Sequence, residues 1–279
     1  MSASRLENLK SNFGMKWSAT DSTLEVETPH ALAQAVGYIK YARRDQGAVY
    51  FRGQDDIYPQ MRPSLYRGAK SQGGKQKRDE QLNTYTLQTH EADAFIPKTP
   101  EYTHEPILQH YGIKTRWLDL VDNVWTALWF GCQEVHHSGP DKRYLHFEPS
   151  NKPYAYIVLL QAGAETHVAD KPGLMRTTSA EIIDLRRAAP STYLRPHAQH
   201  AILMRKLNCN TLDKTDMSNF IVGAIKIKMT RARTWLGGGD LVSTRHFFPP
   251  PKYDGGYSRF LKILINGSQT LGFISHIGA

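Results

Sequence analysis

Cysteine is scarce in this 279-residue chain: Cys132 and Cys209 are the only two, and no CxxC pair exists. That count excludes a disulfide scaffold, argues against a thiolate zinc site and suits a reducing compartment. No run approaches the roughly 20 apolar residues that a spanning helix requires. The opening MSASRLENLKSNFG lacks the charged-then-apolar order of a secretory signal. These absences lead us to expect a cytoplasmic protein with no membrane partner. GxxxxGK[ST], GxGxxG after a strand, HExxH and GxSxG are all missing. Ordinary P-loop NTPases, classical dinucleotide dehydrogenases, zincins and α/β-hydrolases therefore lose weight. Acidic residues are the minority charge, with 26 Asp+Glu against 35 Lys+Arg.

What is present is an ordinary globular composition, 40% hydrophobic and 22% charged, with enough apolar residues for a sizeable core. The net charge of +9 raises the expectation of a nucleic-acid, nucleotide or acidic-protein partner. Arginine carries more of that expectation than lysine, because its planar fork matches phosphate. No internal repeat and no clear linker is visible. The chain reads as residues 1–44, an N-terminal helical segment, packed on a main domain of residues 45–279.

Residues 24–26 read as a short strand and residues 30–44 as an amphipathic helix, with Leu32, Ala35, Val36 and Ile39 on one face. Residues 48–51 form a compact strand leading into Arg52-Gly53-Gln54. There a strand fixes the backbone and glycine lets a ligand approach, although a strand-end arginine can equally be solvated. Residues 59–68 are a prolyl loop carrying Arg62 and Arg67. Residues 69–78 read as a mobile basic loop, either solvated or touching nucleic acid. A helix is expected over 79–96 and strands over 154–160 and 220–229. Residues 136–140 read as a loop, 237–240 as a turn, 247–256 as a stiff loop and 257–265 as a helix. Cys132 and His136 can share a helix face, but with no further ligands at telling spacing no metal is expected. Gln199 stands just ahead of an apolar run, where a strand begins. Glu181 reads either as a surface helix residue or as an acid available for chemistry.

The stretch 107–133, ILQHYGIKTRWLDLVDNVWTALWFGCQ, organises the rest. Gly112 closes a first helix and residues 113–118 form a buried strand or tight connector. Asp119 or Asp122 caps a second helix whose apolar face carries Val124, Ala127, Leu128 and Gly131. His110, Tyr111, Thr115, Arg116 and Asp119 then share one small region, and buried polar groups there need partners. An Arg116–Asp119 pair that braces the turn is the plain reading.

Phe51-Arg52-Gly53-Gln54, residues 62–67, the central stretch, Gln199 and residues 248–255 occur in the order of the FRG-domain family, which this chain resembles over about residues 45–262. The family's central motif reads roughly QHYGxPTRLLDWTxNPxxALxFA. Here Gln109 to Gly112, Thr115-Arg116, Leu118-Asp119, Asn123 and Ala127 to Phe130 occupy the matching places. Lys114, Trp117 and Leu120-Val121 depart from it, and Ala201 stands where glycine is common in the family's Gln-containing motif.

The Arg52-Gly53 pair is also similar to the strand arginine that binds NAD phosphates in mono-ADP-ribosyltransferases. The resemblance implies an α+β fold, a mixed split β-sheet with flanking helices, ADP-ribosyltransferase-like and holding NAD in a central cleft. It implies an NAD-dependent ADP-ribosyltransferase, a toxin or antiphage effector that modifies nucleic acid, RNA ahead of DNA, with an antitoxin protein as partner. No catalytic glutamate is evident in the motif.

Under this reading Arg52, with Gly53, Gln54, Arg67, Thr115 and Arg116, binds the cofactor. His110, Tyr111, Asp119 and Gln199 are the catalytic candidates: His110 on a ribose hydroxyl, Tyr111 stacking or hydrogen-bonding, Gln199 orienting ribose or acceptor. Arg116 and Asp119 serve the acceptor or brace the turn. Trp235, Phe247 and Phe248 stack bases or pack the core. The rival reading is a noncatalytic basic module that recognises nucleic acid or a phage component.

Overall fold

A computed structural model of the chain describes residues 5–139, 143–237, 242–263 and 267–277. The early strands are β1 (Met15–Ser18), β2 (Thr23–Val26), β3 (Tyr50–Gln54), β4 (Leu118–Val121), β5 (Gln133–Ser138), β6 (Tyr144–Pro149) and β7 (Tyr154–Leu160). The later ones are β8 (Thr166–His167), β9 (Leu174–Arg176), β10 (Ala180–Asp184), β11 (Ala201–Lys206), β12 (Ile221–Lys228) and β13 (His276–Ile277). The helices are α1 (Pro29–Ala42), α2 (Gln72–Glu91), α3 (His104–His110), α4 (Val124–Gly131), α5 (Leu185–Ala188), α6 (Leu194–Ala198), α7 (Met229–Leu236), α8 (Thr244–Phe247) and α9 (Gly255–Lys262). None of them is long and apolar enough to cross a membrane, among the described residues.

Ten strands join one mixed sheet in the order β1-β2-β12-β7-β3-β4-β11-β10-β9-β8, parallel only at β2–β12. β13, β6 and β5 form a second, three-stranded sheet. The fold is thus α+β with a large mixed sheet. Strand alternation sorts the side chains between its two faces. In β7, Ala155, Ile157 and Leu159 enter one apolar cluster while Val158 and Leu160 enter another. α1, α4 and α7 cover the first face over β12, β7 and β3. The corresponding face of β10 and β11, through Ile183, Ala201 and Leu203, is covered by a separate cluster built on α2, α3, α5 and α9.

Between those two helical groups the sheet parts. β3 and β4 share a single register pair, Phe51 with Val121, whereas β3 and β7 share five from Tyr50↔Leu160 to Gln54↔Tyr156. Arg52 to Gln54 and Leu118 to Leu120 therefore diverge, and a cleft opens at the divergence.

Several expectations change. Residues 5–42 do more than pack as a helical segment, because β1 and β2 extend the main sheet and Leu24, Val26 and Leu32 enter its core. Residues 72–78 are the first turns of α2, not a mobile loop; Ser71 caps that helix by accepting from the Gly74 amide at 3.1 Å. His136 and His137 lie on β5 rather than in a loop. Asn123, not Asp119 or Asp122, caps α4, its Oδ1 accepting from the Trp125 and Thr126 amides. Glu181 is neither on a helix nor on the surface: it is buried on β10, and Arg176 and Arg205 both donate to it. Residues 238–240 of the glycine turn and 264–265 of the last expected helix lie outside the described residues.

Candidate functional site

Gly53 decides how the cleft is walled. A Cβ there would overlap the carbonyl oxygen of Ala127 and lie 2.7 Å from the Gly131 nitrogen. Glycine at this position lets α4 lie directly on β3, a packing requirement that holds beside its place in the cleft lining. Arg52, one residue earlier, spans the parting. Its Nη1 donates to the Asp119 carbonyl oxygen at 2.6 Å, and its Nε is enclosed without a partner. Burial and the neighbouring Arg67 bring the Arg52 guanidinium down to about 10, still a full cation near neutrality.

The cleft measures about 830 Å³, within the range of small-molecule sites. Four guanidinium groups line it, those of Arg52, Arg62, Arg67 and Arg195, against the carboxylates of Asp55, Asp119 and Glu134. Unpartnered buried polar atoms also gather here. They include Nε of Arg52 and Arg62, Nε and Nη2 of Arg195, Nε2 of Gln109, Oε1 of Gln54 and Nε2 of His110. Leaving such a group unpaired costs about 1–3 kcal/mol, so their concentration marks a place built for a bound molecule or ordered water. Most are N–H donors, which suits an anion.

Of the expected site residues, Arg52, Gly53, Gln54, Arg67, His110, Asp119 and Gln199 meet at this cleft. His110 Nε2 lies 4.0 Å from Asp119 Oδ1, and His110 Nδ1 lies 3.0 Å from Gln199 Oε1. Gln199 caps the C-terminal end of α6 two residues before β11 begins, so it stands just ahead of the strand as expected.

Three candidates stand elsewhere. Tyr111 is fully buried behind the cleft, donating to both oxygens of Asp254 at 2.9 and 2.7 Å and stacking on Tyr257. Thr115 is buried in the connector, where its hydroxyl holds Gln109 and accepts from the Trp117 amide. Arg116 pairs with Asp79 at 2.9 Å and Glu105 at 3.0 Å, not with Asp119, and ties α2 to α3. Cys132 ends α4 and His136 lies on β5, so they share no helix face. Phe247 is core, Trp235 packs against the core, and Phe248 lines the cleft.

Sequence reasoning missed Arg195. It is 1% exposed, donates from Nη1 to the His110 carbonyl at 3.2 Å, and lies over the Tyr257 and Tyr111 rings at 3.9 and 4.8 Å. Asp254, which accepts from the Arg195 amide and caps α9, was missed as well. Arg195 stands four residues before Gln199, at helical spacing, which was the available signal.

Residues 47–139 match the family model described as FRG domain. This chain carries an FRG domain. No curated protein and no solved structure matches the chain. The FRG domain match contains β3, α3, β4 and α4, hence Arg52, His110 and Asp119. Gln199, Arg195 and Asp254 lie beyond it and complete the cleft or its support from the second half of the chain.

Burial pushes the His110 imidazole below its usual range, against the opposing pulls of Asp119 and Gln199 and with the help of Arg195. Burial does the same to His104, stacked on Phe95 at 3.7 Å. Rings held neutral in the folded chain but free to charge when unfolded make the unfolded state bind more protons below about pH 6.5. Their contribution is whole above that pH and is lost as pH falls toward the folded-state values. Urea midpoints should drop between about pH 7.5 and about pH 5.5, and a His104→Gln, His110→Gln double variant should flatten that drop. An equal drop in the double variant would remove the assignment.

Proposed function

We propose that the cleft binds NAD by its pyrophosphate and that the protein is an ADP-ribosyltransferase acting on a nucleic acid, RNA ahead of DNA. One observation carries this reading: a guanidinium in the middle of β3, unpartnered at Nε, spans the parting of the sheet amid further open donors. NAD would supply the ADP-ribosyl group through its nicotinamide–ribose bond. Arg52 and Arg195 would hold the pyrophosphate, as charge-assisted hydrogen bonds to phosphate require. Phe130 and Phe248 offer an apolar wall, and Asp119 offers a carboxylate where positive charge develops on a sugar. Tyr111, Thr115 and Arg116 drop out of direct roles and act as support.

The net charge of +9 supports a phosphate-bearing acceptor, since neutralising phosphates gives affinity without sequence choice. The toxin or antiphage setting and the antitoxin partner rest on the family resemblance.

Purified protein with labelled NAD and RNA, DNA or cell lysate tests the activity. Label should pass to nucleic acid, and Arg52→Ala should reduce transfer at least tenfold, the value of one charge-assisted hydrogen bond of about 1.5–3 kcal/mol. No transfer to any acceptor, with Arg52→Ala indistinguishable from wild type, would end the enzymatic claim. Salt-sensitive RNA binding that survives Arg52→Ala and Asp119→Ala without NAD turnover would favour the noncatalytic module.

A further inference from the structure

His110 stands at the end of α3 and Gln199 at the end of α6, and the amide between them has one workable orientation. Gln199 Nε2 donates to the Phe247 carbonyl oxygen at 2.8 Å, which turns Oε1 toward His110 Nδ1 at 3.0 Å. Flipping the amide would set its oxygen against that carbonyl, two acceptors with no proton between them. An amide oxygen can only accept, so Nδ1 carries the imidazole proton. In the neutral ring Nε2 then keeps its lone pair. That nitrogen is enclosed, has no hydrogen-bond partner, and belongs to a side chain lining the cleft.

We propose that His110 is a tautomer-locked proton acceptor in the cleft, with Gln199 as its positioning residue. The group it takes is a neutral donor, a hydroxyl or an amine: its O–H or N–H bond breaks as the proton passes to Nε2, and the electron pair stays on that oxygen or nitrogen, which becomes the nucleophile. A phosphate oxygen has no proton to give there and finds its partners on Arg52 and Arg195 instead. The imidazolium formed keeps Nδ1–H on Gln199 and gains Asp119 of β4, whose Oδ1 is 4.0 Å from Nε2. Arg195, on α6, is the charged group that opposes it. Burial favours the neutral ring at rest, in agreement with a base awaiting its proton. That the donor belongs to the acceptor of ADP-ribose rests on the function proposed above; the tautomer does not.

Two-bond proton–nitrogen correlation spectra of the full-length protein labelled with 15N-histidine test it, with the His110 signals assigned by their loss in His110→Gln. Near neutral pH the ring should show a protonated Nδ1 and a bare Nε2. Gln199→Leu should shift it toward the Nε2-protonated form, and Gln199→Glu should keep the Nδ1 proton while raising the titration midpoint. A wild-type ring protonated at Nε2, or on both nitrogens, would overturn the proposal. So would a tautomer unchanged in Gln199→Leu. If that variant does not fold, the wild-type spectrum alone decides. Absence of NAD transfer leaves these signals where they are, and a wrong tautomer leaves NAD binding standing, so the two failures are separable.

Discussion

Gly53→Ala should destabilise the protein by about 3 kcal/mol or more while leaving every charged group of the cleft in place. The added Cβ would run into the Ala127 carbonyl oxygen and crowd the Gly131 nitrogen, both backbone atoms of α4. Backbone cannot swing aside as a side chain can, so α4 must lift from β3. Lifting it opens the apolar cluster that holds Ala127, Leu128 and Phe51. Gly37→Ala is the matched control: it sits mid-helix in α1 with no atom within 4 Å of the new methyl. That change should stabilise the protein by about 0.5–1 kcal/mol, the ordinary helix preference for alanine. Urea unfolding of both variants reads the contrast. A Gly53→Ala midpoint equal to wild type would show that α4 does not rest on β3 in solution.

The second large effect is expected at Asp254. Its carboxylate is wholly buried and accepts from the Tyr111 hydroxyl, the Arg195 amide at 3.0 Å and the Tyr257 amide at 2.8 Å. Asp254→Ala leaves three buried donors unpaired and removes the cap of α9, a loss of about 3 kcal/mol or more. Asp254→Asn keeps one acceptor oxygen for the cap and should fall between alanine and wild type. Denaturant midpoints measure both, and near-UV circular dichroism follows the packing of Tyr111 and Tyr257. An alanine variant within about 1 kcal/mol of wild type would mean that water satisfies these donors and that the buried network is not what seats Arg195.

α1 and β7 follow from hydrophobic periodicity, because side-chain spacing along a helix or strand is a local property. The end of α3 at Gly112 was legible for a similar reason: its φ of +114° suits glycine, and a Cβ would collide with Ser275 and Phe273. Residues 72–78 were misread because composition, polar and glycine-bearing, outweighed a cap at Ser71 that was there to be seen. Glu181 was misread because one charged residue among apolar ones does not announce two arginines on the neighbouring strands.

By itself the sequence determined the family islands, the cationic surplus, most of the regular elements and the nearness of His110 to Asp119, since each depends on neighbours along the chain. Tertiary structure alone decided which polar group serves the cleft and which serves the fold. Tyr111 meets a carboxylate 143 positions away and Arg116 one 37 positions away, while Arg52 faces the opening where β3 leaves β4. A buried charge settles on whatever partner the packed core brings within hydrogen-bond reach, and that choice is made across the sheet rather than along the chain.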